Sequence, residues 1–234
     1  MPRPRRKAAN DETREQIKQI ARSLMAEKGT SGLSLRAIAR QMDMSASALY
    51  HYYGSMDDLI TALIVDAFTA HADAIRIARD TAAAEGATHA AQLVAAAKAY
   101  RAWALENPSD FQLIYGNPIP GYEAPFDVTQ PAASQTGQVF METLTHAVRA
   151  GELTLPDEAA NIPPNVERQF RQQLGTDAEP IVVEAFHVLN RAWGMLHGMT
   201  SLEVHNHLQP VVGDTDAFYE STLRSYFRSL GLNV

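Results

Sequence analysis

Residues 45–53 (SASALYHYY) carry the side chains whose types and spacing best suit a chemical task. Short hydroxyls and methyls come first, and three tyrosines and a histidine follow. On an exposed helix, short hydroxyls and methyls can approach the base edges in the major groove of DNA. Tyrosine hydroxyls can bind the phosphate oxygens of the same duplex. This chemistry needs a helix with an exposed face, so the neighbouring sequence must provide its support.

Two short helices joined by a tight turn are predicted to hold this segment. Ser34 is a good N-cap for the first helix, and Ser45 is a good N-cap for the second. Asp43 lies between them and tolerates the left-handed backbone of a tight turn. Two helices connected in this way form a helix-turn-helix, whose second helix lies in the major groove of DNA. We expect Leu49 and Tyr53 to pack inward.

The other predicted elements are helical as well. Apolar residues at spacings of three and four mark a helix that ends at Gly29, and Ser55 is the N-cap of another helix. Strand-like alternation does not recur, so the fold is predicted to be all-α. The later helices are predicted at about 88–106, 132–150, 178–204 and 214–230, with a short helical piece after Pro108 and loops at 116–125 and 151–164.

The charge of the chain is divided unevenly. The net charge is −7, but residues 1–54 hold ten basic and five acidic residues, while the remainder has a net charge of −12. A basic segment on an acidic protein is typical of a segment that meets a polyanion. A basic tail without a partner is the alternative interpretation. Residues 1–9 contain two prolines and a basic cluster, and they are predicted to form a flexible arm.

The composition argues against several classes of protein. The chain is 46% hydrophobic, which is enough for a core, and it contains no Cys for disulfides or thiolate zinc sites. The lack of Cys fits a cytoplasmic location. We expect no secretory signal and no membrane span, because no apolar run approaches roughly 20 residues. The Walker, GxGxxG, HExxH and GxSxG motifs are absent, so no enzyme activity, catalytic residue or cofactor is predicted.

The span 14–63 resembles the DNA-binding head of TetR-family transcriptional regulators. Asp43 stands where the family usually has Gly, and it can hold the turn at a modest cost. Met56 stands where the family usually has a phosphate-binding Lys, so phosphate binding is expected to shift to the basic arm. The matching residues follow one another without a gap: Ile17, Ala21, Leu24, Gly29, Leu33, Ser34, Leu35, Ile38, Ala39, Met44, Ser45, Leu49, Tyr50, Tyr52, Tyr53, Ser55 and Leu59.

The resemblance implies a division of the chain by function. After the arm at 1–9, it implies a DNA-binding domain at 10–55 and a helical ligand-binding and dimerisation domain at 56–234. It also implies that Ser34 and Arg36 approach the DNA backbone or a base edge. With residues from the segment 45–53 and from the basic arm added, the predicted DNA contacts are Arg3, Arg5, Arg6, Lys7, Ser34, Arg36, Ser45, Ala46, Ser47, Ala48, Tyr50, His51 and Tyr52.

The later part of the chain resembles one type of ligand-binding body. The segment RAWGMLHGMTSLE looks like the signature of the tryptophan-histidine-glycine (WHG) subfamily. By this resemblance, aromatic and polar residues of the body would line a small-molecule cavity, although core packing explains each one as well. The predicted pocket residues are Tyr100, Trp103, Phe111, Gln112, Tyr115, Phe186, His187, Trp193, Met195 and His197.

Three histidines invite a metal hypothesis. His197 and His205 lie about two helical turns apart, and His207 follows. No acid is spaced to complete a tetrahedral set and Cys is absent, so no metal site is predicted.

DNA binding by this motif requires two copies of the chain. A palindromic operator needs two helices that enter the major groove about 34 Å apart, and one chain supplies only one such helix. The homodimer is predicted to form through the helices at 178–204 and 214–230. A stripe on the last helix, which core packing would also explain, is assigned to this interface: Tyr219, Leu223, Tyr226, Phe227 and Leu230.

These features predict a dimeric regulator of transcription that binds double-stranded DNA. A repressor that releases its operator when a small molecule binds the body is the leading hypothesis. An activator and a ligand-independent regulator are alternatives that the residues do not separate from it. An all-α carrier or enzyme with a vestigial head, or a nonspecific binder that uses the basic arm alone, is a further alternative.

Overall fold

The fold consists of helices joined by turns and short loops. The computed structural model describes residues 4–29 and 32–230, with side chains from residue 8 onward, and these residues contain no strand. The all-α prediction is confirmed. The helices are α1 (Pro4–Lys28), α2 (Leu35–Gln41), α3 (Ala46–Leu49), α4 (Met56–Ala84), α5 (His89–Glu106), α6 (Pro108–Tyr115), α7 (Phe126–Arg149), α8 (Pro164–Leu174), α9 (Pro180–Val204), α10 (Gln209–Val212) and α11 (Thr215–Ser229).

The chain forms two compact units. The head unit contains the described residues up to Ala70 together with Asn107–Ala133. The body unit contains His71–Glu106 and the described residues from Ser134 onward. Helix α6 and the loop after it therefore pack with the helix-turn-helix. The predicted functional boundaries after residues 9 and 55 differ from these packing units, and they stay a prediction.

One apolar core supports the short helices of the head unit. Leu113 belongs to this core, so α6 is part of the same packed unit as α1 to α4. Burying one such side chain contributes about 1.5–3 kcal/mol. Packing rather than intrinsic helix stability therefore holds α2 and α3, which are too short to be stable alone. The buried members are Ile17, Ala21, Leu24, Met25, Leu35, Ile38, Ala39, Leu49, Tyr53, Leu59, Ile60, Leu63, Ile64 and Leu113.

A chain of ion pairs joins α1, α4 and α6 within the head unit. Lys18 Nζ lies 2.7 Å from Glu15 Oε1 and 2.5 Å from Asp66 Oδ2. Arg22 contacts Asp66, with Nη2–Oδ2 at 3.4 Å, and Asp110, with Nε–Oδ2 at 3.2 Å. Burial raises the pKa of Asp110, and the Arg22 guanidinium partly offsets that shift. These ion pairs connect the three helices to one another.

The body unit contains a buried ion pair between α5 and α9. Arg101 binds Glu203 in a bidentate manner, with both N–O distances at 2.6 Å. Its guanidinium also contacts Asp216 at 2.6 Å and lies 4.9 Å from the ring centroid of Tyr219, both in α11. Glu203 is only 4% exposed, and the hydrogen bonds from Arg101 lower its pKa. This cluster ties three helices of the body together.

The stripe on α11 forms part of the body core. Tyr226 is half-buried, and its hydroxyl donates to the Val188 carbonyl at 3.1 Å. The buried Tyr219 hydroxyl donates to the Ala97 carbonyl at 2.8 Å. The predicted interface is corrected accordingly, because packing within the same chain leaves four of its members no surface for a second copy. Those buried members are Tyr219, Leu223, Phe227 and Leu230.

Two helices begin earlier than the sequence predicts. Helix α1 begins at Pro4, so residues 4–9, predicted to be a flexible arm, are helical. Proline suits a first helical position because its missing N–H is not needed there. Helix α7 begins at Phe126 and contains Pro131, which the prediction had placed before the helix. The N–H and the hydroxyl of Thr129 both donate to the Pro125 carbonyl at 3.0 Å, which secures this extra turn.

Helices α8 and α10 were missed in the prediction. Helix α8 has no buried residue, and only one face of it contacts the rest of the body. Its signal was present in the sequence, since Val166, Phe170 and Leu174 recur every four residues between Pro164 and Gly175. Helix α10 is a single turn of four residues, which is too short for a periodic pattern.

Removal of the Glu203 carboxylate is expected to destabilise the body unit. In Glu203→Ala the mostly buried Arg101 guanidinium loses its bidentate partner and keeps only the exposed Asp216, which should cost about 3 kcal/mol of unfolding free energy. Because the folded-state pKa of Glu203 is lowered, this contribution should be present at neutral pH and lost as the pH falls through that value. Denaturant unfolding followed by circular dichroism measures both effects.

The exposed pair between Arg149 and Glu179 supplies the control. Its N–O distance is 3.3 Å and both side chains are more than half exposed. Arg149→Ala should therefore cost less than about 1 kcal/mol. An equal loss of stability in the two variants would contradict the role assigned to Glu203.

Candidate nucleic-acid interface

Helices α2 and α3 form the predicted helix-turn-helix. Ser34 Oγ accepts a hydrogen bond from the Ala37 N–H at 3.1 Å, and Ser45 Oγ accepts one from the Ala48 N–H at 3.2 Å. Asp43 has a φ of 53° in the turn between the two helices. Both predicted N-caps and the left-handed turn residue are confirmed. Each short helix therefore has a capped start and a defined direction.

Two buried side chains set the orientation of α3. Leu49 is 0% exposed and Tyr53 is 5% exposed, as the sequence predicts. The Arg14 guanidinium lies 5.1 Å from the centroid of the Tyr53 ring. Burial raises the pKa of the Tyr53 hydroxyl, so that the phenol stays neutral. With both anchors turned into the core, the opposite face of α3 is presented to solvent.

The exposed face of the motif carries most of the predicted contacts. Tyr50 is 54% exposed. The sequence-based set omitted Arg40, which follows Arg36 by one helical turn on the polar face of α2. The spacing of four residues between the two arginines could have identified Arg40 from the sequence. The exposed side chains are Ser34, Arg36, Arg40, Ser45, Ser47, Tyr50 and His51, and the half-buried ones are Ala46, Ala48 and Tyr52.

The two hydroxyls at the start of α3 contact each other. The Oγ atoms of Ser45 and Ser47 lie 3.0 Å apart. Because Ser45 also caps the helix, it combines a structural role with an exposed polar edge. Rotation of each hydroxyl lets the pair donate to or accept from a base edge or a phosphate.

The start of α4 carries negative charge. Ser55 Oγ accepts a hydrogen bond from the Asp58 N–H at 3.1 Å, which confirms the predicted cap. Asp57 and Asp58 lie in the first turn of α4 and are exposed. Met56 is half-buried and packs against the head core. This helix start therefore offers no cationic side chain to a phosphate.

The basic arm is described only in part. Arg3 lies outside the described residues. The backbone of Arg5, Arg6 and Lys7 belongs to α1, and their side chains lie outside the description. Their predicted DNA contacts stay a prediction.

Part of the predicted ligand pocket forms an aromatic cluster in the body unit. The Tyr100 hydroxyl lies 2.9 Å from His197 Nδ1, and the ring of Trp193 lies 5.5 Å from that of His197. The ring of His71 lies 4.5 Å from Tyr100 and 4.8 Å from Trp103. Burial lowers the pKa of His71 to about 4, so this imidazole is neutral at physiological pH. The sequence-based set omitted His71, which lies on the apolar face of α4.

The other predicted pocket residues have their own contacts within each unit. The ring of Phe170 in α8 lies 5.0 Å from that of Phe186 and 6.2 Å from that of His187. His187 Nδ1 also lies 3.0 Å from the Ala159 carbonyl, just before α8. Phe111 and Tyr115 belong to the head unit, with ring centroids 5.2 Å apart. Gln112 of the same helix is exposed, and Met195 in the body is half-buried. The predicted pocket as a whole stays a prediction.

Neither a metal cluster nor a membrane-spanning helix is found among the described residues. Between residues 8 and 230, apart from the undescribed positions 30 and 31, no group of three His, Asp or Glu side chains is arranged to hold a metal ion. None of the described helices is long and apolar enough to cross a membrane.

Sequence models of known families match both parts of the chain. Residues 18–63 match the family described as bacterial regulatory proteins, tetR family. Residues 93–226 match the family described as Tetracyclin repressor-like, C-terminal domain. The first match covers the helix-turn-helix, and the second covers most of the body.

Similar proteins support the same family. The HTH-type transcriptional regulator Rv1816 of Mycobacterium tuberculosis is 35% identical over 201 residues, which cover 86% of this chain and 84% of the relative. The solved regulatory protein SCO4313 is 34% identical, with a TM-score of 0.75 over 97% of this chain and 98% of that one. RolR, solved with the ligand resorcinol, shares the fold at 16% identity, with a TM-score of 0.54 over 97% and 91% of the two chains. The chain therefore belongs to the TetR family of bacterial regulatory proteins and is a DNA-binding regulator of transcription.

Proposed function

We propose that this regulator is a repressor that binds a palindromic operator as a homodimer and releases it when a small molecule binds the body. The observation that carries the proposal is the exposed face of α3, held outward by two buried anchors. We also assign the body to the WHG subfamily, on the segment around Trp193 and His197. A protein with this role acts in the cytoplasm.

The reading face can supply the contacts that an operator requires. Ala46 and Ala48 carry methyls that suit thymine methyls, and the Ser45–Ser47 pair suits base edges or phosphates. Arg36 and Tyr50 flank this surface and are exposed. Both side chains suit phosphate oxygens, which position a protein on the duplex.

Loss of either flanking side chain is expected to weaken operator binding. Arg36→Ala and Tyr50→Ala should each lower the affinity by about tenfold, which corresponds to about 1.4 kcal/mol. Arg36→Ala should also reduce the slope of log affinity against log salt by about 1 if this residue binds a phosphate. Fluorescence anisotropy with a labelled operator measures both quantities.

Arg168→Ala is the matched control for Arg36→Ala, because Arg168 is an exposed arginine on α8. Its operator affinity should equal that of the unmodified protein. Folded Arg36 and Tyr50 variants that bind the operator undiminished would contradict the assigned interface.

A lysine at position 56 is expected to strengthen DNA binding. Met56→Lys would place a cation at the start of α4, at the position where the family usually has a lysine and beside Asp57 and Asp58. One added phosphate contact should steepen the salt dependence by about 1 in log–log slope. Met56→Gln, of similar length and without charge, controls for changes in packing. Equal affinities and slopes for the Lys and Gln variants would contradict a phosphate at this position.

The exposed faces of α9 and α11 support a homodimer interface. Leu202 of α9 and Phe218 of α11 are 47% and 37% exposed. A Cβ atom built on Gly194 or Gly198 of α9 would meet nothing within 4 Å. Glycine inside a helix costs about 0.5–1 kcal/mol relative to Ala. Among the described residues, no neighbour requires a glycine at either position, and we attribute both glycines to the close approach of a partner helix.

Leu202→Glu is expected to shift the protein from dimer to monomer. The new carboxylate would lie in an apolar interface without a partner, which opposes association. Ile77→Glu is the matched control, because Ile77 is 66% exposed and lies on α4, away from the proposed interface. Sedimentation velocity measures both variants. Retention of the dimer by Leu202→Glu, or equal dissociation of the two variants, would contradict this interface.

The aromatic cluster supports a small-molecule site in the body. It combines large apolar rings with the hydroxyl of Tyr100 and the imidazoles of His71 and His197. Apolar walls with a few polar groups are typical of ligand sites. In RolR the same fold accompanies a bound small molecule. Within the head unit, the contact between Arg22 and Asp110 would pass a displacement of α6 to α1.

A reporter gene tests repression directly. The promoter beside the operator should become more active when the regulator gene is deleted, and the unmodified gene should restore repression. Lower activity after deletion would identify an activator and contradict the proposal.

A further inference from the structure

A cleft of about 520 Å³ lies within the head unit, between α1, the end of the helix-turn-helix, α4 and the start of α7. Its volume falls in the range of small-molecule sites. None of its lining residues belongs to the ligand pocket predicted for the body, and Tyr52 is its one member among the predicted DNA contacts. Its walls include Arg14, Tyr52, Tyr53, Asp58, Val65 and Val128.

One carboxylate of the cleft can attract a cation. Two aspartates and Arg14 line the cleft, and the Arg14 guanidinium lies over the ring of Tyr53. Lys18 and Arg22 already neutralise Asp66. In the part of the chain whose side chains are described, no basic group lies within ion-pair distance of the Asp58 carboxylate. Gly54 keeps this carboxylate close to the backbone, since a Cβ atom there would lie 3.0 Å from Asp58 Oδ2. Asp58 is therefore the anion that remains available to a ligand.

The remaining walls favour a ligand with an apolar body. Val65 is half-buried and Val128 is 48% exposed, so both offer apolar surface. Tyrosine rings attract cations at their faces, and Arg14 already occupies this position over Tyr53. Tyr52, also half-buried in the wall, offers the second ring.

We propose that this cleft binds a small organic ammonium ion, with the ammonium group at Asp58 and the apolar body against Tyr52, Val65 and Val128. The site is separate from the effector site proposed for the body. A ligand here would contact the segment that follows the reading helix.

Titration with 2-phenylethylammonium tests the proposal, and neutral 2-phenylethanol is the matched probe without charge. Isothermal titration calorimetry of the full-length protein should show saturable binding of the ammonium ion. We expect binding of the alcohol to be at least about tenfold weaker, because it lacks the charge-assisted contact. Equal affinities for the two probes, or no saturable binding of the ammonium ion, would overturn the proposal.

Matched variants locate the binding. Asp58→Asn should lower the affinity for 2-phenylethylammonium by about tenfold, whereas the exposed neighbour Asp57, outside the cleft, should tolerate Asp57→Asn without change. Val128→Trp fills the cleft from its exposed rim and should abolish binding. Equal affinities of the Asp57 and Asp58 variants, or undiminished binding by Val128→Trp, would place the ligand elsewhere and overturn the proposal. Operator binding by the same variants, measured separately, tests the proposed function independently.

Discussion

The burial of Leu49 and Tyr53 is the constraint on which the DNA-binding head depends. Helix α3 has only four residues, so it has no stability of its own. It exists because two side chains pack into the head core and Ser45 caps its first turn. The same anchors leave Ser45 and Ser47 exposed and Ala46 and Ala48 half-buried. The anchors and the exposed side chains therefore lie on opposite faces of one short segment, and Ser45 serves both as the cap and as part of the exposed face.

The basic side chains of the head unit fall into two sets, one that forms ion pairs within the unit and one that is exposed on α2. Lys18 and Arg22 lie in ion pairs with acids of α1, α4 and α6, where they hold helices together. Arg36 and Arg40 lie exposed on α2 and remain available to a polyanion. The net positive charge of the N-terminal segment therefore overstates the charge that DNA meets.

Local features of the head could be predicted from the sequence because they depend on neighbouring residues. The N-caps at Ser34 and Ser45 and the left-handed turn at Asp43 each follow from the preferences of one residue type. Features that depend on distant partners were not predictable. The stripe on α11 has the same apolar spacing whether it faces its own core or a second copy, and only the packing with α5 and α9 showed which. Likewise, helical spacing identified aromatic residues such as Phe186 and Trp193 without showing which rings each of them contacts. His71 was missed because its partners, Tyr100 and Trp103, come from another helix.

The most direct test of the central claim is the sequence preference of the purified protein. Fragments of genomic DNA that it selects at physiological salt can be recovered and sequenced. Two copies of α3 on a twofold axis should select one short palindrome, with half-sites about one helical turn of DNA apart or a multiple of that distance. Recovery of fragments without a shared motif would show that the head binds only through charge. That result would contradict the reading role assigned to the exposed face of α3.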